Sequence, residues 1–168
     1  MLFFQIENVH IIFKSFLMIN IDDYQVIAQI NHGGFGVIYK IKHKSSKKIY
    51  AAKVLNQVVD NNDIDDDDDD DDEKCNDSIY NEIKALKQCQ HPTIVRFYGF
   101  SLKDFFGNKR CTLFLDYYRN ESLATLIKKD DYKTAISNTQ KQIILIGIAR
   151  GMLHIHQNHI IHNDLKPA

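Results

Sequence analysis

Between Tyr24 and Leu55 apolar and polar positions alternate in three short runs separated by turn residues. Tyr24 to Ile30 (YQVIAQI), Gly36 to Ile41 (GVIYKI) and Lys48 to Leu55 (KIYAAKVL) have the β-branched and aromatic character of strands. Asn31 to Phe35 and His43 to Lys47 read as the connecting turns, giving an antiparallel meander. From Asn76 to Gln90 the period changes. Ile79, Ile83 and Leu86 fall within about 60° of one another at about 100° per residue, the pattern of a helix with one apolar stripe. Thr93 to Phe100 (TIVRFYGF) and Arg110 to Leu115 (RCTLFL) read as two more strands, joined by a turn around Gly107 and Asn108. Thr139, with Gln142 three residues later, predicts a capping box opening a helix that runs to about Gln157. Its IILIGIA run is apolar on nearly all sides, which predicts a buried helix. Three strands, a helix, two strands and then helices make an α+β chain with an antiparallel sheet rather than alternating βαβ units.

Charge changes this picture at one place. The chain of 168 residues has a formal net charge of −1, but Asp60 to Glu73 holds eleven acids and no Lys or Arg. Outside that stretch 21 bases face 11 acids, so the body is basic, formally +10, with one acidic insert. Consecutive like charges repel and cannot pack, so the Asp run reads as a solvated loop; a lure for a basic partner is the sharper alternative. With 44% apolar residues the chain can bury a core, which excludes a mostly disordered or collagen-like chain and a multi-span membrane protein. Met1 to Ile21 is apolar-rich, yet Glu7, Asn8, His10 and Lys14 interrupt it, and it has neither the basic start nor the cleavage site of a secretory signal. It reads as an extension packed on the domain, or as residues foreign to it. Cys75, Cys89 and Cys111 are odd in number and lack CxxC spacing, which argues against disulfides or zinc and for a reducing, cytoplasmic setting.

Candidate chemistry gathers at three places. Gly33, Gly34 and Gly36 lie in the turn between two strands, where backbone N–H groups can approach phosphate oxygens with no Cβ in the way. A dinucleotide fingerprint needs a helix after the loop, whereas Val37 to Ile41 read as a strand; no Gly-Lys-Ser/Thr follows, so a Walker-type loop also fails. An ordinary glycine hairpin remains the alternative at this point. Lys53 lies in an apolar strand, where an ammonium needs a partner. Glu82 lies at the edge of the helix's apolar stripe, about 60° from Ile79, and a pair between the two would leave the ammonium able to hold an anion beneath the glycine turn. At the end of the chain, Asp164 and Lys166 flank Leu165. There an aspartate can accept a hydroxyl proton and a lysine can neutralise a transferring phosphoryl group.

These motifs, in this order, resemble the eukaryotic protein kinases, in particular the tyrosine-kinase-like branch of the serine/threonine kinases. IxxGGFGxIYK (Ile30 to Lys40) is similar to the glycine-rich loop, and AAK (Ala51 to Lys53) to the strand of the ATP lysine. NEIKAL and HPTIVRFYG (Asn81 to Gly99) resemble the regulatory helix and fourth strand, and LFLDYYRNESL (Leu113 to Leu123) the hinge. GMLHIHQNHIIHNDLKP (Gly151 to Pro167) resembles the helix and the start of the catalytic loop. The resemblance implies an N-lobe and hinge over 22–118, a five-stranded antiparallel sheet plus one helix with the acidic insertion at 60–73. The first helices of a C-lobe follow over 119–168, and 1–21 precede the domain. It implies ATP and Mg2+ as cofactors and a protein substrate, in signalling; no nucleic acid and no membrane are expected as partners, on the charge and hydropathy patterns of the chain. Ile30 and Ile38 would cover the adenine with Ala51 above it; Gly33, Gly34 and Gly36 would drape over the phosphates; Lys53 would grip the α- and β-phosphates and pair with Glu82. Leu115 takes the gatekeeper position, the backbone of Asp116 and Tyr118 would bond the adenine edge, Asp164 would be the catalytic aspartate, and Lys166 marks serine/threonine preference.

The pattern is not followed everywhere. Asn31 replaces the first glycine of the loop, and Asn163 replaces the arginine beside the catalytic aspartate, which commonly receives an activation-loop phosphate. Lys53 and Glu82 are farther apart in sequence than is usual, and the Asp run accounts for the excess. The 168 residues contain neither the Asp-Phe-Gly magnesium motif nor the metal-binding asparagine after Pro167, so the expectation is a truncated domain with little or no activity of its own, in which the helix Gln140 to Gln157 would lose packing partners and leave an apolar surface open. A non-catalytic ATP-binding pseudokinase or regulatory module is the alternative. His154, His156, His159 and His162 do not have the i,i+4 spacing of helical metal ligands, so no metal site is expected there. The lysines of the basic body are scattered rather than striped, which argues against nucleic acid.

Overall fold

Alternation becomes pairing in a single sheet. In the computed structural model β1 (Tyr24–Gly33), β2 (Gly36–His43), β3 (Ile49–Val58), β4 (Phe97–Ser101) and β5 (Arg110–Asp116) pair antiparallel throughout, in the order β1-β2-β3-β5-β4. Helix α1 (Asp77–Gln88) comes between β3 and β4 in the chain; short α2 (Leu123–Lys128) and long α3 (Asn138–Gln157) follow β5. The structure describes residues 18–59, 77–119, 122–128 and 136–167. The acidic stretch 60–73 and most of the N-terminal extension, 1–17, lie outside them. The α+β class and the five-stranded antiparallel sheet read from the sequence are the architecture observed. No helix among the described residues is long and apolar enough to cross a membrane.

The described residues form two compact units. The first gathers residues up to Lys84 with Phe97–Tyr117; the second gathers Ala85–Arg96 with the residues from Tyr118 onward. In the first, Ile41, Ala52 and Phe114 are fully buried on one face of the sheet, ringed by Tyr24, Tyr39, Tyr50, Tyr98 and Phe105. The rings meet edge to face, as at Tyr50–Tyr98 (centroids 5.0 Å apart, planes at 87°), the arrangement their quadrupoles favour. Ile19 and Ile21 pack on the same cluster, and the Ile19 N–H donates to the Phe100 carbonyl at 2.8 Å. The chain before β1 is thus tied to the edge strand β4. Ile79 and Ile83 of α1 are fully buried, as their spacing predicts.

Three expectations are corrected. The segment from Thr93 is a strand only from Phe97: the Ile94 N–H donates to the His91 carbonyl and the Thr93 N–H to His91 Nδ1, so a local turn takes the backbone bonds a ladder would need. The capping box is Ser137 with Gln140, not Thr139 with Gln142. Both pairs have the required spacing, but only Ser137 has extended backbone (φ −64°, ψ 160°); Thr139 is already helical. Replacing Ser137 by Ala should lower stability by about 1 kcal/mol, read as a fall in thermal midpoint, while Thr139→Ala should stay within about 0.5 kcal/mol.

The third correction concerns the burial of α3. Only Gly151 and Ile155 are buried, whereas Ile143, Leu145, Ile146, Ile148 and Leu153 are exposed. The side that packs does so against the His91–Ile94 turn. A Cβ on Gly151 would stand 3.0 Å from Thr93 Oγ1 and 3.6 Å from Ile94 Cγ1, and His91 stacks on His154 with ring centroids 5.1 Å apart. Apolar composition sets a helix's demand for neighbours; the neighbours themselves decide its burial.

Candidate nucleotide and phosphoryl-transfer site

Antiparallel register puts most of the proposed nucleotide-binding side chains on one face of the first unit. Ile38 pairs with Lys53, Lys53 with Leu113, and Ala51 with Leu115. Directly paired residues share a face, as do residues two apart, so Ile38, Ala51, Lys53, Leu113 and Leu115 line a single surface. The opposite face carries Ala52 and Phe114 into the core. Ile30 sits at an irregularity of the β1–β2 ladder, between Gln29 and Asn31, and is about half exposed.

Lys53 Nζ donates to Glu82 Oε1 at 2.5 Å, joining β3 to α1 across 29 residues of chain. Both side chains are partly buried. The burial problem read from the sequence is therefore met by a charge-assisted hydrogen bond, and the remaining ammonium N–H bonds can serve an anion.

The three glycines are not equivalent. Gly36 has φ +150°, and a Cβ there would lie 2.2 Å from the Val54 carbonyl oxygen, so β3 itself demands glycine. At Gly33 and Gly34 a Cβ would meet nothing within 4 Å. The protein leaves room at these two positions, where a close approach of backbone to a ligand would use it. Asn31, in place of a further glycine, accepts the His32 N–H on its own Oδ1 at 2.8 Å.

At the end of β5 the Tyr98 hydroxyl donates to Asp116 Oδ1 at 2.6 Å. That bond to the carboxylate is the main reason the Tyr98 phenol titrates above its ordinary value, with burial second. It occupies the Asp116 side chain on the core side; the role read for Asp116 uses its main chain. Sequence reasoning did not find this pair, nor Asn56, whose Nδ2 donates to the Gly34 carbonyl at 2.9 Å. A polar residue closing the apolar run of β3 was the available signal for Asn56.

In the second unit Tyr118 is exposed, and α3 leads through left-handed His159 (φ 58°) to a loop with Asn163 also left-handed (φ 58°). The Asp164 N–H donates to the His162 carbonyl at 2.8 Å. Asp164 and Lys166 are exposed and paired, Nζ to Oδ2, at 2.9 Å. The Ala124 N–H donates to the Pro167 carbonyl at 2.8 Å, tying the loop's end to α2. A carboxylate beside an ammonium in an accessible loop can accept a proton while the cation offsets negative charge on a reacting group.

Comparison with known proteins identifies the family. The family model for the protein kinase domain matches residues 24–168. Over 156 residues the chain is 28% identical to the G-type lectin S-receptor-like serine/threonine-protein kinase SD1-1 of Arabidopsis thaliana, covering 91% of this chain and 17% of that protein. It is 27% identical to mitogen-activated protein kinase kinase 2 of the same plant (89% and 36% covered) and 25% identical to its serine/threonine-protein kinase Aurora-1 (88% and 44% covered). The chain spans less than half the length of each of these relatives. With a family match over nearly its whole length, the chain belongs to the protein kinase family.

Proposed function

We propose that the chain carries the nucleotide-binding part of an ATP-dependent protein kinase that transfers the γ-phosphate to serine or threonine hydroxyls of proteins, in cytoplasmic signalling. The observation that carries this reading is the Lys53–Glu82 pair, 2.5 Å long, in the unit that also contains the open Gly33–Gly34 turn. Residues 22–118 form the N-lobe and hinge in this reading, and 119–168 open the C-lobe. Ile30, Ile38, Ala51 and Leu115 enclose the adenine; the main chain of Asp116 and Tyr118 bonds its edge; Gly33, Gly34 and Gly36 cover the phosphates, and Lys53 holds them. Asp164 orients the attacking hydroxyl and accepts its proton, and Lys166 neutralises the charge that develops on the phosphoryl group.

Magnesium, which the family uses, is a separate matter. Among the described residues no three His, Cys, Asp or Glu side chains gather to hold a metal. The 168 residues include no Asp-Phe-Gly. The proposal for this 168-residue polypeptide is therefore limited to nucleotide binding, with turnover left to the measurement below. The purified 168-residue chain is expected to gain about 2.7 kcal/mol of stability at an ATP concentration 100 times its Kd, read as a rise in thermal midpoint. ATP consumption should match that of an Asp164→Asn variant. No stabilisation would refute nucleotide binding; turnover above the variant's would refute the inactive reading.

A further inference from the structure

The β1–β2 hairpin is held at two points. Where the turn closes, Gly36 lies so close to Val54 that no side chain fits between them. At its tip, Asn56 Nδ2 donates to the Gly34 carbonyl. β2 and β3 pair from Lys42–Ile49 to Gly36–Leu55, so Asn56 is one residue past the last pair. The overhang of β3 thus brings an amide donor beside the two-residue turn of Gly34 and Phe35, which the ladder itself does not hold.

We propose that Asn56 is a positioning residue of the phosphate cradle: by fixing the Gly34 carbonyl it fixes the direction of the Phe35 amide N–H, and it is this N–H that the hairpin offers to a nucleotide's phosphate. The two groups belong to one peptide unit. A trans peptide is planar, with its C=O and N–H pointing in opposite directions, and the described residues contain no cis bond. A carbonyl tied to Asn56 therefore turns the Phe35 N–H away from Asn56. Gly34, on the N-terminal side of this peptide, would let it turn if nothing restrained it, because glycine is the residue least restricted in its backbone dihedrals. A restraint lowers the ordering a ligand must impose on binding, and so raises affinity without touching the ligand. Phe35 is three-quarters exposed, so side-chain packing does little to hold the tip, and the task falls to the Asn56 bond.

The inference rests on the nucleotide reading above, and the test separates the two. ATP and adenosine are titrated calorimetrically into the full 168-residue chain and its Asn56→Ala and Asn56→Asp variants. Asn56→Ala should weaken ATP binding about three- to tenfold, the worth of one exposed hydrogen bond, leave adenosine binding unchanged and lower the thermal midpoint by no more than about 5 °C. Asn56→Asp keeps the side chain's shape but sets an acceptor against the carbonyl and a negative charge near the phosphates. It should weaken ATP further, the more so at low salt, and it carries the test if the Ala variant does not fold. The amide resonance of Phe35 in the nucleotide-free chain should also move on Asn56→Ala. An unchanged ratio of ATP to adenosine affinity, or an unmoved Phe35 amide, overturns the role of Asn56. A parent chain that binds ATP no more tightly than adenosine overturns the nucleotide reading instead.

Discussion

Gly36→Ala is expected to destabilise the first unit by about 2–5 kcal/mol, whereas Gly34→Ala leaves stability within about 0.5 kcal/mol and lowers affinity for ATP alone. The asymmetry follows from what each Cβ would meet. At Gly36 it would lie 2.2 Å from the Val54 oxygen, 3.1 Å from the Val54 carbon and 3.2 Å from Leu55 Cα, all backbone atoms of β3. No rotamer change relieves such a clash; β2 must move off β3, which disturbs the Gly36–Leu55 and Val37–Val54 pairs. The φ of +150° adds its own penalty for an L-residue, of order 1–3 kcal/mol. Against a domain stability of about 5–15 kcal/mol this is a large fraction. For a chain of this size each kcal/mol lowers the thermal midpoint by about 2–4 °C. At Gly34 the methyl meets no protein atom within 4 Å, so any loss of ATP binding there reports the space a phosphate needs. Calorimetric midpoints of both variants, with ATP and adenosine titrations, decide the matter. A Gly36→Ala chain as stable as its parent would contradict the close approach of β2 to β3.

The sheet was legible because its signals are local. Period-2 alternation with glycine or serine-lysine turns between the runs specifies a meander whatever else the chain does, and β1, β2, β3 and β5 begin and end within about three residues of their sequence-based bounds. The Lys53–Glu82 pair was legible for a different reason: each charge on an apolar face needs a partner, and each was the other's nearest solution. What could not be read depends on competition or on neighbours. Thr93 to Arg96 has strand composition, but His91 offers its carbonyl and ring nitrogen to that backbone first. Ser137 and Thr139 offer equally good capping sequences, and the choice falls to backbone dihedrals, which composition does not encode. The bond from Asn56 to Gly34 arises from how far β3 overshoots its partner strand, a matter of register that no periodicity reveals.

Lys53→Met should reduce ATP affinity about 10- to 150-fold, the equivalent of the 1.5–3 kcal/mol that a charged hydrogen bond contributes. Adenosine, which lacks phosphates, should bind both proteins alike. Glu82→Gln separates holding the lysine from supplying charge. The amide can still accept a hydrogen bond from Lys53, but the carboxylate's attraction is gone, so the ammonium is less firmly held and ATP affinity should fall less than in Lys53→Met. The side chains of Lys53 and Glu82 are 23% and 36% exposed, so removing one partner leaves the other group part-buried and less well paired, and either substitution should also lower stability, by about 1–3 kcal/mol. The two substitutions should not be additive, because Glu82 acts on the nucleotide only through Lys53; once the lysine is gone, Glu82→Gln should have almost no further effect on ATP. An additive double mutant would mean that Glu82 acts on the ligand independently. A Lys53→Met chain that binds ATP as tightly as its parent would remove the cation from the site and leave the hairpin as an ordinary glycine turn.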